Sequence, residues 1–237
     1  MIAITFALPV ESSDFVRLLE RPSPNSREGV ESIRGLLGGR SVAVIHTGVG
    51  QKISRERMEI ILRREKFQYL ISAGFAGALE QELRVGNVLV AENYSAADLV
   101  ASPRLQLDDE GTFLGKLLTV PRTVEHQGER EDLAKKTGAV AVDMETEVIA
   151  STCAAHELPM LSVRAISDTA SAPFPAPAKV LFDVARQETN FPQLISYLVT
   201  HPSAFGRLNA FRRQIEVARK ALTVTLQKIV SAGLMQD

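Results

Sequence analysis

Residues 138–170, GAVAVDMETEVIASTCAAHELPMLSVRAISDTA, switch between two hydrophobic periodicities, and that switching restricts the folds open to the chain more than any other stretch. An apolar run from Ala139 to Val142 precedes Asp143-Met144-Glu145. A helical segment then extends to about His156, and a second apolar run from Met160 to Ile166 ends in Ser167-Asp168. Two carboxylates, Glu145 and Asp168, therefore fall just past the ends of two β-runs joined by a helix. Ligands of open α/β sheets bind at the carboxyl ends of strands, so this unit is the predicted centre of the fold and of its chemistry.

Upstream, Ile2 to Leu8 reads as a strand that feeds a helix carrying Phe15, Leu18 and Leu19, with Glu11 on the connecting turn. RPSPNSREG, residues 21–29, is a loop by composition. Ile33 to Leu37, Gly38-Gly39 and Ser41 to Ile45 read as a hairpin, and Arg55 to Lys66 as a helix. Between these last two, Gly48-Val49-Gly50 starts like a dinucleotide fingerprint, but Ile53 occupies the place of the third glycine. A nicotinamide site is thereby disfavoured, and Gly48 is better read as a turn that lets a substrate approach the backbone, or as a tight corner.

Tyr69 to Ser72 is a further strand, followed by Ala73-Gly74-Phe75-Ala76-Gly77-Ala78. So many small residues fit either a ligand lying against bare backbone or close helix-on-strand packing. Gly86 to Ala91 and Leu117 to Val120 add two strands, residues 101–114 a polar excursion, and Glu129 to Lys136 a short charged helix. SAPFPAPA, residues 171–178, is too rich in proline for regular structure and is a candidate lid. Beyond it, Leu208, Phe211, Ile215, Ala218, Leu222, Leu226 and Ile229 draw one apolar helical stripe. Arg212, Arg213, Arg219 and Lys220 lie off that stripe on a solvated face. About seven β-runs with interspersed helices describe a mixed, mostly parallel sheet in an α/β sandwich.

A chain of 237 residues can bury a core without staples. Its 27 basic and 28 acidic side chains give a net charge of −1, which provides no pull toward nucleic acid or anionic membrane and leaves a small-molecule partner. No apolar run nears the roughly 20 residues that a membrane span needs, and MIAITFALPV reads as a strand rather than a leader. Cys153 is the only cysteine, so a reducing, cytoplasmic setting fits. His46, His126, His156 and His201 show no ligand spacing, and His46 is read as structural; neither a metal nor a cofactor is implied.

Glu11, Glu145 and Asp168 all stand at apparent strand ends. A carboxylate can accept from two adjacent sugar hydroxyls, an acid can protonate a departing heterocycle, and a third carboxylate can deprotonate water. That set suits hydrolysis of an N-glycosidic bond. The bland reading, an acid favoured by a helix dipole, fits Glu11 and Glu145 as well.

VDMETEVIA (142–150) with VRAISDTA (163–170), the glycine run SAGFAGAL (72–79) and FALPVES (6–12) together resemble the nucleoside phosphorylase family, which includes methylthioadenosine/S-adenosylhomocysteine nucleosidases. The resemblance runs in order over residues 1–170. It implies a three-layer α/β/α sandwich in a single domain, 1–237, with 203–231 as a C-terminal helical extension. By the same resemblance Glu11 activates the attacking water, Asp168 with Ser167 beside it protonates the purine at N7, and Glu145 clamps the ribose diol. Met144 walls the sugar, Phe75, Ala76 and Gly77 cradle base and ribose, and Arg164 orients a carboxylate.

The family usually carries Ser where Phe75 stands and several acids where Leu8-Pro9-Val10 stand, which points to a different 5′ substituent. Residues 171–237 look more like the branch containing hopanoid-associated phosphorylases. The resemblance also implies a homo-oligomer, a dimer first. Neither FALPVESSD nor SAGFAGAL holds Arg or Lys to bind a phosphate nucleophile, so hydrolysis is favoured over phosphorolysis; Lys52 and a neighbouring subunit keep the second reading open. A nucleoside-binding protein without turnover is the remaining alternative.

Overall fold

The computed structural model describes residues 1–105, 111–172, 182–183, 187–189, 200 and 204–235. Strand β5 (Leu70–Ala78) is its spine. One edge of β5 carries β10 (Met160–Asp168) in parallel along nearly its whole length, from Met160 opposite Leu70 to Asp168 opposite Gly77. The other edge is shared. β1 (Ile2–Phe6) runs parallel beside Leu70 to Ser72, while β9 (Ala141–Asp143) runs antiparallel beside Gly77 and Ala78. β1 and β9 thus approach head-on along one edge, and their carboxyl ends face each other across the gap beside the middle of β5.

Beyond β1 the sheet continues through β4 (Arg40–His46), β3 (Val30–Leu37) and β2 (Glu20–Arg27), and beyond β10 through β6 (Val88–Ala91) and β7 (Thr112–Gly115); β8 (Leu117–Thr119) pairs with β9. Among the described residues, five pairings of this sheet are parallel and four antiparallel. The predicted mixed, mostly parallel sheet is therefore present, with more strands than the seven expected. A separate two-stranded ladder joins β11 (Phe182–Asp183) to β12 (Glu188–Thr189).

Alternation along the strands separates two apolar faces. Ile2, Ile4 and Phe6 of β1 join Leu161 and Val163 of β10 on one side. There they meet Phe15 of α1 (Pro9–Val16) and Leu222, Leu226 and Ile229 of α6 (Ala204–Ala232). Ala3, Ile45, Leu70 and Met160 point the other way, onto Met58, Ile61 and Leu62 of α2 (Gln51–Arg64) and Val148, Ile149 and Cys153 of α5 (Thr146–Ala155). Helices thus cover both faces, as a three-layer sandwich requires. The predicted apolar stripe of α6 is its buried side. Arg212, Arg213 and Lys220 are exposed as expected, but Arg219 is half-buried and reaches Asp14 of α1 at 2.7 Å, tying the two helices of that layer together.

Several local expectations are corrected. Residues 20–27 form a strand, not a loop: among the described residues β2 is an exposed edge paired only with β3, where prolines cost no ladder hydrogen bond on the open side, and a register shift between Glu20 and Ser23 absorbs Arg21 and Pro22. The small residues 73–78 lie inside β5 rather than after it, because β10 and β9 flank them. Glu11 sits in the first turn of α1, which Pro9 opens. The two β-runs of the central unit, β9 and β10, each border β5, and β9 runs against it, a relation that the sequence leaves open. A short helix α3 (Ala97–Val100) and β7 bracket the polar excursion, whose residues 106–110 lie outside the described residues, as do 173–178 of the proline-rich lid candidate. No helix among the described residues is long and apolar enough to cross a membrane.

Candidate active site

The gap between the ends of β1 and β9 collects the acids. α1 starts just after β1, and the Glu11 carboxylate turns back to accept the Leu8 N–H at 2.8 Å with one oxygen and the Phe75 N–H of β5 at 3.2 Å with the other. The helix-terminus reading is half right for this residue, since one oxygen serves α1 and the other is anchored 64 positions away. Burial pushes the Glu11 carboxyl above its ordinary range, against those two hydrogen bonds and the charge of Arg164. Ser12 beside it lies 2.8 Å from Nε2 of buried His46, which joins α1 to the end of β4 as a structural contact.

Glu145 precedes α5, yet its side chain does not cap that helix. It crosses the gap and accepts the N–H of Gly50, the residue before α2, at 2.8 Å. Removal from water first, then the negative charge of Asp143 and that of Glu11, raise its carboxyl from the ordinary 4.5 to about 8. The folded chain therefore holds extra protons between pH 4.5 and 8, so this group's stabilising share is complete below 4.5 and is lost as pH rises through 8. Chemical melts should show stability falling across that window in the wild type and falling less steeply in Glu145→Gln. Equal slopes would mean that Glu145 titrates as an ordinary carboxylate.

Beneath these acids lies a polar network that the motif reading only partly anticipated. Arg164 of β10 spends all five guanidinium N–H groups. Nε donates to Asp143 Oδ2 at 3.0 Å, Nη1 to the carbonyls of Ser72 and Val163, and Nη2 to Ser72 Oγ and Thr146 Oγ1. Asp143 also accepts from Thr119 Oγ1 at 2.7 Å and from the hydroxyl of Thr146. The carboxylate that Arg164 holds directly is thus Asp143. A charged residue ending the buried run AVD was the one sequence signal for it.

Asp168, at the end of β10, accepts from Ser167 Oγ at 2.9 Å through Oδ1 and from Arg130 Nη2 through Oδ2. Arg130 belongs to α4 (Gln127–Thr137), is only 2% exposed, and also donates to the Ala78 carbonyl at 2.7 Å. Nothing in GEREDLAKK distinguishes it from the exposed charges around it. A Cβ on Gly77 would lie 2.9 Å from Asp168 Oδ2 and 3.2 Å from Arg130 Nη1. Gly77→Ala should therefore displace this buried pair and cost about 1–3 kcal/mol in a urea melt, as overpacking of fixed groups does. An unchanged midpoint would show that the pair can give way.

These groups border two spaces that share Glu11, Phe75 and Glu145 on their walls. A cleft of about 760 Å³ is lined by Phe75, Ala76, Gly77, Met144, Glu145, Ser167 and Asp168, with Glu11 also on its wall. The segment Pro121–Arg130 supplies further lining, as do Leu8, Val10, Val49, Phe211 and Ile215. A cavity of about 20 Å³ lies against Glu11, Glu145, Arg164, Thr5 and Gly74. Nine of the ten residues predicted for the site border one or both spaces. Gly48 does not: its φ of +80° makes the turn, its carbonyl accepts from Ser54 Oγ, and neighbouring Val49 faces the cleft.

The chain matches the family model of the phosphorylase superfamily over residues 1–120 and 108–200. It is 26% identical over 199 residues to a 5′-methylthioadenosine/S-adenosylhomocysteine nucleosidase of Staphylococcus aureus (strain JH9), covering 72% of this chain and 87% of the relative. Its fold is similar to that of the corresponding S. pneumoniae nucleosidase solved with a transition-state inhibitor, with a TM-score of 0.74, 20% identity and 98% of each chain covered. It is also similar to a futalosine hydrolase mutant of Helicobacter pylori strain 26695, with a TM-score of 0.70, 16% identity and 97% of each chain covered.

Proposed function

The chain belongs to the phosphorylase superfamily, and from that premise we propose that it is a purine nucleosidase, cleaving the N-glycosidic bond of a 5′-substituted adenosine with water. The observation that carries this reading is the 20 Å³ cavity touching both Glu11 and Glu145. A space of that size holds about one water, with no room for phosphate. Arg164 borders it but has no N–H left to offer an anion, and both terminal nitrogens of Arg130 are held by Asp168 and the backbone, leaving only its buried Nε without a partner among the described residues. Thr5 Oγ1, buried on the cavity wall without a partner among the described residues, gives such a water a further contact.

In this scheme the base lies against Asp168, which gives a proton to N7 as the C1′–N9 electron pair moves onto the purine. The ribose hydroxyls lie on Glu145 with Met144 against the ring, and Phe75, Ala76 and Gly77 line the floor. The oxocarbenium-like sugar is favoured by the acceptor oxygens of the nearby acids. Glu11 takes a proton from the water that adds to C1′, and burial, by raising its pKa, makes it a stronger base for that task. Arg164 acts from beneath, holding Asp143 and Thr146 in place under Glu145.

The cleft's 760 Å³ and its apolar walls at Leu8, Val10, Val49, Phe211 and Ile215 suit a bulky apolar group at the 5′ position. We treat residues 1–237 as one functional unit working as a cytoplasmic homo-oligomer, a dimer first. The test is adenine release from methylthioadenosine, S-adenosylhomocysteine and adenosines with larger apolar 5′ groups, with and without phosphate. Release independent of phosphate is expected. Release that requires phosphate makes the chain a phosphorylase, and tight binding with no release makes it a nucleoside-binding protein.

A further inference from the structure

We infer that Arg130 is the positioning residue of Asp168, an inference that rests on the nucleosidase reading above. Three elements meet at this pair: α4 supplies the guanidinium, β10 the carboxylate, and the end of β5 the Ala78 carbonyl that fixes Nη1 at 2.7 Å. Both side chains are almost wholly buried, at 2% and 3% exposure. Withdrawing two charges from water costs several kcal/mol per ion, so a pair of apolar residues would hold α4 against the sheet at least as well. The guanidinium instead sits on the very carboxylate that faces the leaving base across the cleft.

Its geometry defines its task. Arg130 Nη2 holds Oδ2 while Ser167 holds Oδ1, so the plane of the carboxyl group over Gly77 is fixed where Asp168 lines the cleft. Asp168 first takes up a proton from solvent through the cleft; as the C1′–N9 bond breaks, that proton passes to N7, the bonding electrons go to the purine, and a carboxylate is left again beside the guanidinium. Arg130 stabilises that product charge by Coulomb attraction in a water-poor setting. It acts on the base only through Asp168.

A mutant cycle on the full chain tests this. Arg130→Met should lower kcat for adenine release by about a hundredfold, the scale of a misplaced catalytic group, with KM little changed. Arg130→Lys, which keeps the charge but loses the fork, should recover part of the loss. In an Asp168→Asn background the same Arg130 changes should cost no further kcat, because the group they act through is gone. Losses that multiply in that background overturn the inference, as does a kcat within threefold of wild type. If the Met variant fails to fold, Arg130→Lys carries the same comparison. A wild type that releases no base sinks the nucleosidase reading and this inference with it, whereas an active wild type with indifferent Arg130 variants sinks the inference alone.

Discussion

Glu11→Gln is expected to lower kcat for base release by about two to four orders of magnitude, the range associated with a lost general base, while KM moves only a few-fold. The substitution keeps the shape of the side chain and removes its capacity to accept a proton. Glu11 is suited to this measurement because both its oxygens are already located: one at the Leu8 N–H, 2.8 Å away, the other at the Phe75 N–H, 3.2 Å away. Its position therefore owes little to the substrate, and the loss should appear in turnover. A Gln amide must turn its NH₂ toward one of those two donors, so a modest drop in stability should accompany the kinetic change, and a melt measures the two separately. A turnover within threefold of wild type would remove Glu11 from the chemistry and leave it a helix-terminus residue.

Arg164→Met is expected to destabilise the fold by about 3–5 kcal/mol, the cost of breaking a buried ion pair from one side. Five N–H groups disappear at once, and Asp143 is left as a buried carboxylate with only Thr119, Thr146 and the Thr146 N–H around it. Ser72 loses partners at both its carbonyl and its hydroxyl. The check is a denaturant midpoint compared with that of Arg164→Met/Asp143→Leu, in which the stranded charge is also removed. The double variant should recover a substantial part of the loss, and one that unfolds as early as the single variant would show that Arg164 stabilises through packing rather than through its partner. Since Thr146 adjoins Glu145, variants that fold should also bind nucleoside less well.

Much of the site was legible because short sequence runs carry it. Met144-Glu145 and Ser167-Asp168 close strands whose apolar runs can be read directly, and Gly77 occurs among small residues that mark a close approach. The sequence did not separate a strand that contains small residues from a strand followed by them, and β5 proved to be the first. Residues 21–27 were misplaced because their prolines and polar side chains describe a loop unless the segment is an edge with a partner on one side only, and the partner, β3, is not part of the local pattern. Arg130 and Asp143 were missed for a related reason. Each is a charge among ordinary neighbours, and what marks it is a counter-charge 38 or 21 residues away.

The sequence by itself determined which segments are apolar with period two or near four, and hence that helices cover both faces of a mixed sheet, because side-chain direction along a strand or helix follows from local backbone geometry. It also placed Glu145 just after one strand and Asp168 at the end of another. Only the tertiary structure decided that β1 and β9 meet head-on along one edge of β5. That encounter brings Glu11 and Glu145 to one water-sized cavity, tucks the Arg164 network beneath them and sets Arg130 on Asp168. Pairing of distant strands is chosen by the burial of whole faces and by the satisfaction of buried charges, and neither quantity exists until the chain has closed on itself.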